Sequence, residues 1–359
     1  MKDNTKKKGR FEIVSKMLMR FVCAKPLLFN LNVNVTTRCN QACPMCNAVL
    51  EEQQGDTLTL DKFKELLKAF EGVPIPSVTL SGGEPTLAPE FPKIVEFCAQ
   101  NFPFGVGMVS NFYMRGEKFK TALDAALKND IRVACSFDGF GEVAKKQRGV
   151  KNSEVSLVEN IEWVTNRKKE LKSKSKLVIN TVVSDQNVQQ VHDILNVARK
   201  FGWISRLSCA NQFFYQGDNP DLPTLSDTQN LADLIKSVLD EQTIEQNRDY
   251  LRGIPVFSKR ATPKLCPYLR FPFKSAKVFL NPNGDILLCD RTPIGNVARE
   301  HFDRIMRSPK YYEHIRRFKE CKGCWLPCFV ESIIPLSLSG QLKLKRMFRN
   351  LIKTQSGNT

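Results

Sequence analysis

Residues 28–46 read LFNLNVNVTTRCNQACPMC, and this stretch joins a β-strand pattern to three closely spaced cysteines. Its first eight residues are rich in large apolar and β-branched side chains, which predicts a strand over 28–35. Cys39, Cys43 and Cys46 follow at spacings of four and three. Because the active sites of parallel α/β sheets and barrels gather at the carboxyl ends of the strands, we expect these cysteines to lie at an active site.

The same strand-then-helix pattern repeats along the chain as far as residue 214. Strands are predicted at 28–35, 77–83, 104–111, 131–139, 177–184 and 204–214, and helices at 60–70, 90–101, 118–129, 153–169 and 188–201. Six such units with apolar strands predict an α/β fold, with a parallel sheet and helices outside it. Both a barrel and an open doubly wound sheet satisfy this pattern.

The composition is typical of a soluble globular protein, with 42% hydrophobic and 25% charged residues among 359. No secretory signal is recognisable, and no stretch is long and apolar enough to span a bilayer, so we expect a cytoplasmic protein. In that reducing compartment, 12 cysteines indicate metal or redox chemistry rather than disulfides.

The formal charge of +17 permits contact with nucleic acid, an anionic membrane or an acidic substrate. Part of the excess lies in two tails, 2–10 and 343–353. For the centre of the chain, solubility is the preferred interpretation. Since no recognisable RNA-binding module accompanies the repeated units, nucleic acid is not expected as a partner.

Three cysteines without a fourth nearby ligand favour an iron–sulfur cluster over a zinc ion. Thiolates suit soft metals and iron–sulfur clusters, and a four-iron cubane held by three cysteines keeps one iron free for a small ligand. A zinc site needs a fourth ligand, and the histidines (His192, His301 and His314) are all remote in sequence.

The ends of the next three predicted strands carry small and polar residues. They read SGGEP at 81–85, SN at 110–111 and SFDG at 136–139. Adjacent glycines let a backbone approach a ligand closely, and hydroxyl, amide and carboxylate groups can hydrogen-bond a ribose. Taken alone, a glycine pair is usually just a tight turn, and each of the polar residues is more often a cap or loop residue.

Together, the CxxxCxxC triplet and the GGEP motif resemble the radical S-adenosylmethionine (radical SAM) enzymes over about 29–214. The resemblance implies a partial (β/α)6 TIM-like barrel and a [4Fe–4S] cluster held by Cys39, Cys43 and Cys46. The amine and carboxylate of S-adenosyl-L-methionine would bind the free iron, and an electron from the cluster would release a 5′-deoxyadenosyl radical. A low-potential electron donor such as flavodoxin or ferredoxin is the implied partner.

The same resemblance assigns further residues to the bound S-adenosylmethionine. The backbone at Gly82 and Gly83 and the carboxylate of Glu84 would receive its amino group. The Met45 backbone would contact the adenine. The candidates for the ribose are Ser110, Asn111, Ser136 and Asp138. Arg148 is a candidate for binding the carboxylate, with an exposed charged loop as the alternative interpretation.

A second group of cysteines lies downstream, around a predicted hairpin turn at 281–285 (NPNGD). Its members are Cys266, Cys289, Cys321, Cys324 and Cys328. The arrangement resembles the auxiliary iron–sulfur domain called SPASM, or its shorter twitch version. Five cysteines support one fully ligated auxiliary [4Fe–4S] cluster, which we assign to the first four, with Cys328 as the rival for the last place. A structural zinc site is the alternative.

The remaining cysteines lie in apolar segments and are expected to be buried small residues; they are Cys23, Cys98, Cys135 and Cys209.

These patterns divide the chain into five parts. They are a basic tail with an amphipathic helix at 1–27, the barrel at 28–215, a linker and helix at 216–250, the auxiliary-cluster domain at 251–330, and a basic amphipathic helix at 331–359. In the terminal parts, apolar residues share one helical face: Val14, Met17, Leu18 and Phe21 in the first, and Leu344, Met347, Phe348, Leu351 and Ile352 in the last. Such helices either dock against the protein or lie on an anionic membrane, here the inner membrane surface.

The sequence therefore predicts a radical SAM enzyme that abstracts hydrogen from a substrate C–H bond and uses one auxiliary cluster for electron transfer. Membrane contact would favour a lipid or lipid-linked sugar as the substrate, whereas the two-part layout favours a peptide or protein. Against a peptide, the short segment before Cys39 is expected to leave no room for a leader-binding domain. The alternative from another class is a non-catalytic protein that binds zinc or an iron–sulfur cluster.

Overall fold

The computed structural model describes residues 2–46, 56–210, 224–259, 276–289, 291–320, 324–331, 334, 342 and 345–350. The strands are β1 (Leu28–Thr36), β2 (Ser77–Gly82), β3 (Gly105–Ser110), β4 (Arg132–Ser136), β5 (Leu177–Val183), β6 (Ile204–Cys209), β7 (Ala276–Leu280), β8 (Asp285–Leu287) and β9 (Pro293–Asn296). The α-helices are α1 (Lys2–Val22), α2 (Leu60–Leu67), α3 (Phe91–Asn101), α4 (Glu117–Lys128), α5 (Gly141–Arg148), α6 (Ser153–Glu170), α7 (Val191–Phe201), α8 (Thr228–Val238), α9 (Arg248–Ser258), α10 (Phe302–Ile305), α11 (Pro309–Glu320) and α12 (Pro327–Val330).

These strands form one nine-stranded sheet in the order β6-β5-β4-β3-β2-β1-β7-β8-β9. Strands β1 to β6 are parallel and neighbour one another in chain order, with helices in the connections between them. This is the arrangement that a right-handed series of strand–helix units produces. The predicted α/β fold with a parallel sheet is therefore confirmed, and the six strands stay open, as in a partial barrel.

Side-chain alternation along β1 decides which face of the sheet meets the helices. Leu31 and Val33 are fully buried in the apolar core, together with helix residues such as Phe63 of α2. Asn32 and Asn34 alternate with them and therefore lie on the opposite face. We call that face, turned away from the helices, the inner face of the sheet.

The C-terminal region extends the same sheet. Strand β7 pairs in parallel with β1, with Leu31 opposite Val278. Strands β7 and β8 then pair antiparallel, and Gly284 with φ 94° lies in the turn between them, so the predicted hairpin is confirmed. The sequence predicts that residues 251–330 form a domain separate from the barrel. In the structure, hydrogen bonds between β1 and β7 join the two regions into one sheet. The bounds of the five parts stay a prediction.

The predicted amphipathic helix near the start forms as α1, and Arg10 and Arg20 both attach it to the rest of the protein. Arg20 is buried, donates from Nε to the Pro26 carbonyl oxygen at 3.0 Å, and forms an ion pair with Asp303 of α10. Val14 and Leu18 remain 52% and 61% exposed, so their apolar face is not docked. Among the helices described, none combines the length and the hydropathy that a membrane span requires.

The predicted C-terminal helix falls mostly outside the described residues. Positions 345–350 are helical, Phe348 is buried and Met347 packs against the core. Leu344, Leu351 and Ile352 lie outside the described residues. The part that the structure describes is therefore docked against the protein.

The expectation of four buried non-ligand cysteines is correct for three of them. Cys98, Cys135 and Cys209 are buried, but Cys23 is exposed. The reason is that Cys23 follows the last residue of α1, whose apolar side is exposed as well. The helices that were not predicted include α5, which follows the SFDG segment, and α9.

Candidate active site

The cysteine loop begins where β1 ends and is fastened to the end of β2. Gly83 donates its backbone N–H to the Thr36 carbonyl oxygen at 2.8 Å, and Glu84 donates to the Arg38 carbonyl oxygen at 2.8 Å. Within the loop, Cys46 donates to the carbonyl oxygen of Cys43 at 3.0 Å. The carboxyl ends of the first two strands thus hold the loop at the edge of the sheet where the sequence predicted the site.

The two adjacent glycines are required by this close approach. A Cβ on Gly83 would lie 2.1 Å from the Arg38 carbonyl oxygen, and a Cβ on Gly82 would lie 2.3 Å from that of Thr36. Gly82 also has φ 132°, a region that other residues rarely adopt. The N–H of Gly83 is therefore used within the protein, in its hydrogen bond to Thr36.

Glu84 ties the ends of β2 and β3 together from a fully buried position. Its Oε1 accepts from the Ser110 hydroxyl at 2.9 Å and from the Thr86 hydroxyl at 2.6 Å and backbone N–H at 3.1 Å. Its Oε2 accepts from the Asn111 backbone N–H at 2.7 Å. Burial raises the pKa of this carboxyl, and the four donors oppose the rise. The carboxylate therefore brings Ser110 and Asn111 to the cysteine loop.

The Asn111 side chain contacts that loop directly. Its Nδ2 lies 2.7 Å from Oδ1 of Asn40 and 3.8 Å from Sγ of Cys39. Asn40 was not predicted to be a site residue. Its position between Cys39 and Cys43 of the CxxxCxxC motif is the sequence feature that could have indicated it. Of the other predicted residues, Ser136 is half-buried at the end of β4 and Met45 is half-buried in the loop.

Asp138 and Arg148, predicted to contact two different parts of a ligand, are paired with each other. Nη2 of Arg148 lies 2.6 Å from Oδ2 of Asp138, whose Oδ1 accepts from the Val182 backbone N–H at 2.7 Å. Arg148 also reaches Cys43, with 4.0 Å between Nη1 and Sγ. Burial alone would lower the pKa of Arg148, but the charges of Asp138 and Cys43 outweigh it and raise the pKa. The guanidinium is therefore a fixed cation beside the cysteine loop.

Helix α5 carries Arg148 at its end, and the glycine that follows lets the end of the helix approach the cysteine loop closely. Gly149 ends α5 in a left-handed conformation with φ 70°. A Cβ there would lie 2.4 Å from the Ala42 carbonyl oxygen, so only glycine lets the end of α5 approach the loop so closely. The Cys43 thiol donates to the Arg148 carbonyl oxygen at 3.5 Å. The end of α5 is thus part of the site.

By solvent accessibility, Cys43 is buried, Cys46 is half-buried and Cys39 is exposed. Partial desolvation by the surrounding atoms raises the pKa of Cys39 to about 11, and the charges of Glu84 and Cys43 act in the same direction. Cys46 contributes to that rise as well. Burial also raises the pKa of Cys43, against the charge of Arg148. A metal centre that binds these sulfurs would therefore have to displace their protons.

Three thiols are donors of the kind that soft metals and iron–sulfur clusters bind. Within the described ranges, no three His, Cys, Asp or Glu side chains are placed to hold one ion. A tetrahedral zinc site needs sulfurs about 3.8 Å apart, since Zn–S bonds are about 2.3 Å long. A cubane binds each thiolate at a different iron and accepts a wider triplet. The chemistry of the three thiols therefore suits an iron–sulfur cluster.

The structure describes three members of the second cysteine group, Cys289, Cys324 and the backbone of Cys328. Cys289 and Cys324 are half-buried, and Cys266 and Cys321 lie outside the described residues. The backbone of Cys328 belongs to α12. Cys209, at the end of β6, donates its thiol to the Trp325 carbonyl oxygen at 3.2 Å, so a buried barrel cysteine lies beside this region.

Comparison with known families places two matches on the chain. Residues 33–198 match the model of the radical SAM superfamily, and residues 272–325 match that of the iron–sulfur cluster-binding domain SPASM. Together these matches cover more than half of the chain. The first includes the whole cysteine loop and the end of α5, and the second includes three of the five downstream cysteines.

Curated relatives agree with these matches. The chain is 28% identical over 227 residues to the PqqA peptide cyclase of Bradyrhizobium diazoefficiens, which covers 62% of this chain and 55% of that protein. It is 23% identical over 308 residues to the mycofactocin maturase MftC of Mycolicibacterium smegmatis, which covers 82% and 74%. The chain thus spans little more than half the length of the first of these relatives.

A solved structure shares the fold. The crystal structure of Streptococcus suis SuiB bound to S-adenosylmethionine superposes with a TM-score of 0.60, covering 84% of this chain and 71% of that one at 19% identity. At that identity the similarity is evidence for the fold alone. The shared fold agrees with an open parallel sheet that is extended by a C-terminal region.

Proposed function

Since the chain belongs to the radical SAM superfamily and carries a SPASM iron–sulfur domain, we propose that it cleaves S-adenosylmethionine reductively and abstracts hydrogen from a peptide substrate. The observation that carries this proposal is the cysteine loop, which lies at the carboxyl edge of the sheet and is braced by the glycine pair and by the end of α5. A [4Fe–4S] cluster would supply the electron that releases the 5′-deoxyadenosyl radical. The residues of the barrel would orient the substrate and exclude water.

We assign the cluster to Cys39, Cys43 and Cys46, with S-adenosylmethionine held by the groups around them. The carbonyl oxygens at Gly82 and Gly83 would accept from its ammonium group. Glu84 would act through the contacts that it makes with Ser110 and Asn111, two candidates for the ribose together with Ser136 and Asp138. The Met45 backbone would contact the adenine, as the family pattern implies.

Arg148 remains the candidate for the carboxylate of S-adenosylmethionine. Among the described residues, its buried Nε finds no hydrogen-bond acceptor, while its terminal nitrogens face Asp138 and Cys43. A buried N–H without an acceptor is costly, and a ligand carboxylate would remove that cost. The pairing with Asp138 holds the guanidinium in place for such a contact.

For the second cysteine group we propose one auxiliary [4Fe–4S] cluster held by Cys266, Cys289, Cys321 and Cys324, with Cys328 as the rival for the last position. The match to the SPASM model supports an iron–sulfur site in this region. Full ligation would favour electron transfer over substrate binding, with flavodoxin or ferredoxin as the external donor.

A peptide is the substrate class that the comparisons favour. The curated relatives described above are named as a peptide cyclase and a maturase. The interpretation that the substrate is lipid-linked depends on membrane contact. We retain membrane contact as a separate proposal because the apolar side of α1 (Phe11, Val14 and Leu18) is exposed. Such contact would place a cytoplasmic enzyme at the inner membrane surface. Flotation with anionic liposomes tests it, and an intact protein that stays at the bottom of the gradient refutes it.

The enzymatic proposal is tested by anaerobic reconstitution with iron and sulfide, followed by dithionite and S-adenosylmethionine. We expect release of 5′-deoxyadenosine, abolished in the Cys39→Ala/Cys43→Ala/Cys46→Ala variant and retained in the matched Cys23→Ala variant. The triple variant should keep roughly half of the iron, because the auxiliary cluster has its own cysteines. Bound zinc and no nucleoside release would instead support the non-catalytic alternative.

A further inference from the structure

Helix α11 turns one side to the core of the C-terminal region and the other side to solvent. Tyr311, His314 and Phe318 are buried, and their spacing of three and four residues places them on one side of the helix. Pro309 and Arg316, seven residues apart, are both exposed and lie on the opposite side. The outer side of α11 is therefore open to a partner.

Two arginines before α11 continue its outer side. Arg304 of α10 and Arg307 are exposed, and together with Pro309, the first residue of α11, they line one open cavity of about 670 Å³. Because Pro309 belongs to both, the cavity and the outer side of α11 form one surface. Lys310 is exposed beside it. We call the surface that carries Arg304, Arg307, Lys310 and Arg316 the basic face.

The basic face has an excess of positive charge. Residues 299–318 contain six lysines or arginines and three aspartates or glutamates. Two of these carboxylates have other partners, since Asp303 forms an ion pair with Arg20, and Glu313 with Arg317. The third is Glu300. None of the four cations of the basic face forms an ion pair with a residue that the structure describes.

Helix α11 leads directly into the second cysteine group. It ends at Glu320, and Cys321 is the next residue of the chain. Arg316 lies four residues before that end, which is about 6 Å along the helix axis at 1.5 Å per residue. A partner bound to the basic face would therefore lie beside the proposed auxiliary cluster.

The charge and the composition of the basic face suit an acidic protein. Complementary charge speeds the encounter of two proteins roughly 10- to 1,000-fold, and redox complexes use small interfaces. Tyr312, on the exposed part of α11, is 45% exposed, and tyrosine and arginine are enriched at protein interfaces. A membrane suits this surface less, because a helix that lies on lipid needs a broad apolar side. In the described part of 291–331, Tyr312 is the one large apolar side chain that is exposed.

We propose that the basic face docks an acidic one-electron carrier of the flavodoxin or ferredoxin type. The carrier passes one electron to the iron–sulfur centre beside α11 and is oxidised by one electron, with no covalent bond formed or broken. The inference rests on the proposed function and adds to it the place where the electron donor binds.

Binding is measured first, by calorimetric titration of the reconstituted holoenzyme with an oxidised acidic flavodoxin. The variant Arg304→Gln/Arg307→Gln/Arg316→Gln should bind about tenfold more weakly at about 50 mM salt, because it removes three charges from the docking surface. The control Lys169→Gln/Lys172→Gln/Lys174→Gln removes the same charge from exposed positions at and after the end of α6, and it should bind like the wild type. Raising the salt to about 300 mM should weaken binding to the wild type and leave the triple-arginine variant nearly unchanged.

The release of 5′-deoxyadenosine then separates docking from the reaction itself. With limiting flavodoxin, kept reduced by its reductase and NADPH, the triple-arginine variant should release the nucleoside about tenfold more slowly than the wild type. With dithionite, a small reductant that needs no docking surface, the two proteins should release it at the same rate.

A flavodoxin that does not bind the wild type, or that binds the triple-arginine variant as tightly as the control, would overturn the proposal. If that variant kept its flavodoxin affinity but lost flotation with anionic liposomes, the basic face would be a membrane contact instead. Release of 5′-deoxyadenosine with dithionite, together with unchanged flavodoxin affinity, refutes the docking site alone. No release from the wild type with dithionite refutes the proposed function.

Discussion

Nη2 of Arg148 lies 2.6 Å from Oδ2 of Asp138, and this ion pair stands against the cysteine loop. The side chain of Asp138 is fully buried, and that of Arg148 is 14% exposed. Removing one partner leaves the other charge unpaired in poorly solvated surroundings. We therefore expect Arg148→Gln to lower the free energy of unfolding by about 3–5 kcal/mol, measured by urea denaturation of the cluster-free protein.

The double variant Asp138→Asn/Arg148→Gln is the control for that prediction. Because it removes both charges, it should lose less stability than Arg148→Gln alone. If the double variant lost as much stability as the single variants Asp138→Asn and Arg148→Gln lose together, the two charges would not be coupled.

Gly149→Ala should damage the cluster site through the backbone. The new Cβ would meet the Ala42 carbonyl oxygen at 2.4 Å and displace the loop next to Cys43. We expect the iron bound after reconstitution to fall toward that of the triple-cysteine variant. Gly72→Ala is the matched control, since Gly72 has φ 69° and nothing within 4 Å of its Cβ position. It should cost about 1–2 kcal/mol of backbone strain and retain its iron, so equal iron loss in both variants would contradict the close approach.

Alkylation of Cys39 in the cluster-free protein should depend steeply on pH. Its pKa is raised to about 11, so the reactive thiolate is only about one part in a thousand at pH 8. Since the thiol loses its proton as pH rises, the rate with iodoacetamide should increase about tenfold per pH unit between 8 and 10. Mass spectrometry with fragmentation measures Cys39 beside Cys23, which is exposed as well, in the same sample. A rate that levels off below pH 9 would contradict the raised pKa.

Glu84→Gln should destabilise the protein although it preserves the shape of the side chain. All four groups around this carboxylate donate to it, so an amide NH2 would face a donor and leave it unsatisfied. We expect a loss of about 2–3 kcal/mol by urea denaturation. Glu65→Gln on α2 is the control, because that exposed carboxylate forms an ion pair with the exposed Lys62, and it should change stability by less than about 0.5 kcal/mol. If both variants lost the same stability, the hydrogen bonds that Glu84 accepts would not explain its contribution to stability.

The parts of the site that lie within one short motif could be predicted from the sequence. Apolar strands with turns of cysteine or glycine at their ends indicate both the parallel sheet and the edge where the residues meet. The predicted ends of β2 and β3 do meet, through Glu84 and Asn111. Local periodicity is sufficient for these features because each depends on only a few neighbouring residues.

Features that depend on register between strands could not be predicted. The alternating asparagines of β1 are visible in LFNLNVNV, but nothing local indicates that Asn32 shares a row with Arg132, a hundred residues away. The pairing of Asp138 with Arg148 was missed for a similar reason. Helix α5, which joins them, is short and highly charged, and its apolar periodicity is too weak to detect.

The contact between β1 and β7 has a consequence for engineering. A fragment ending before residue 276 would leave the backbone of β1 unpaired on one side, including the stretch just before the cysteine loop. A bare, apolar edge of that kind recruits other chains and promotes aggregation. The barrel and the C-terminal region therefore have to be produced together, and exchanging one of them between relatives requires a replacement strand that caps β1.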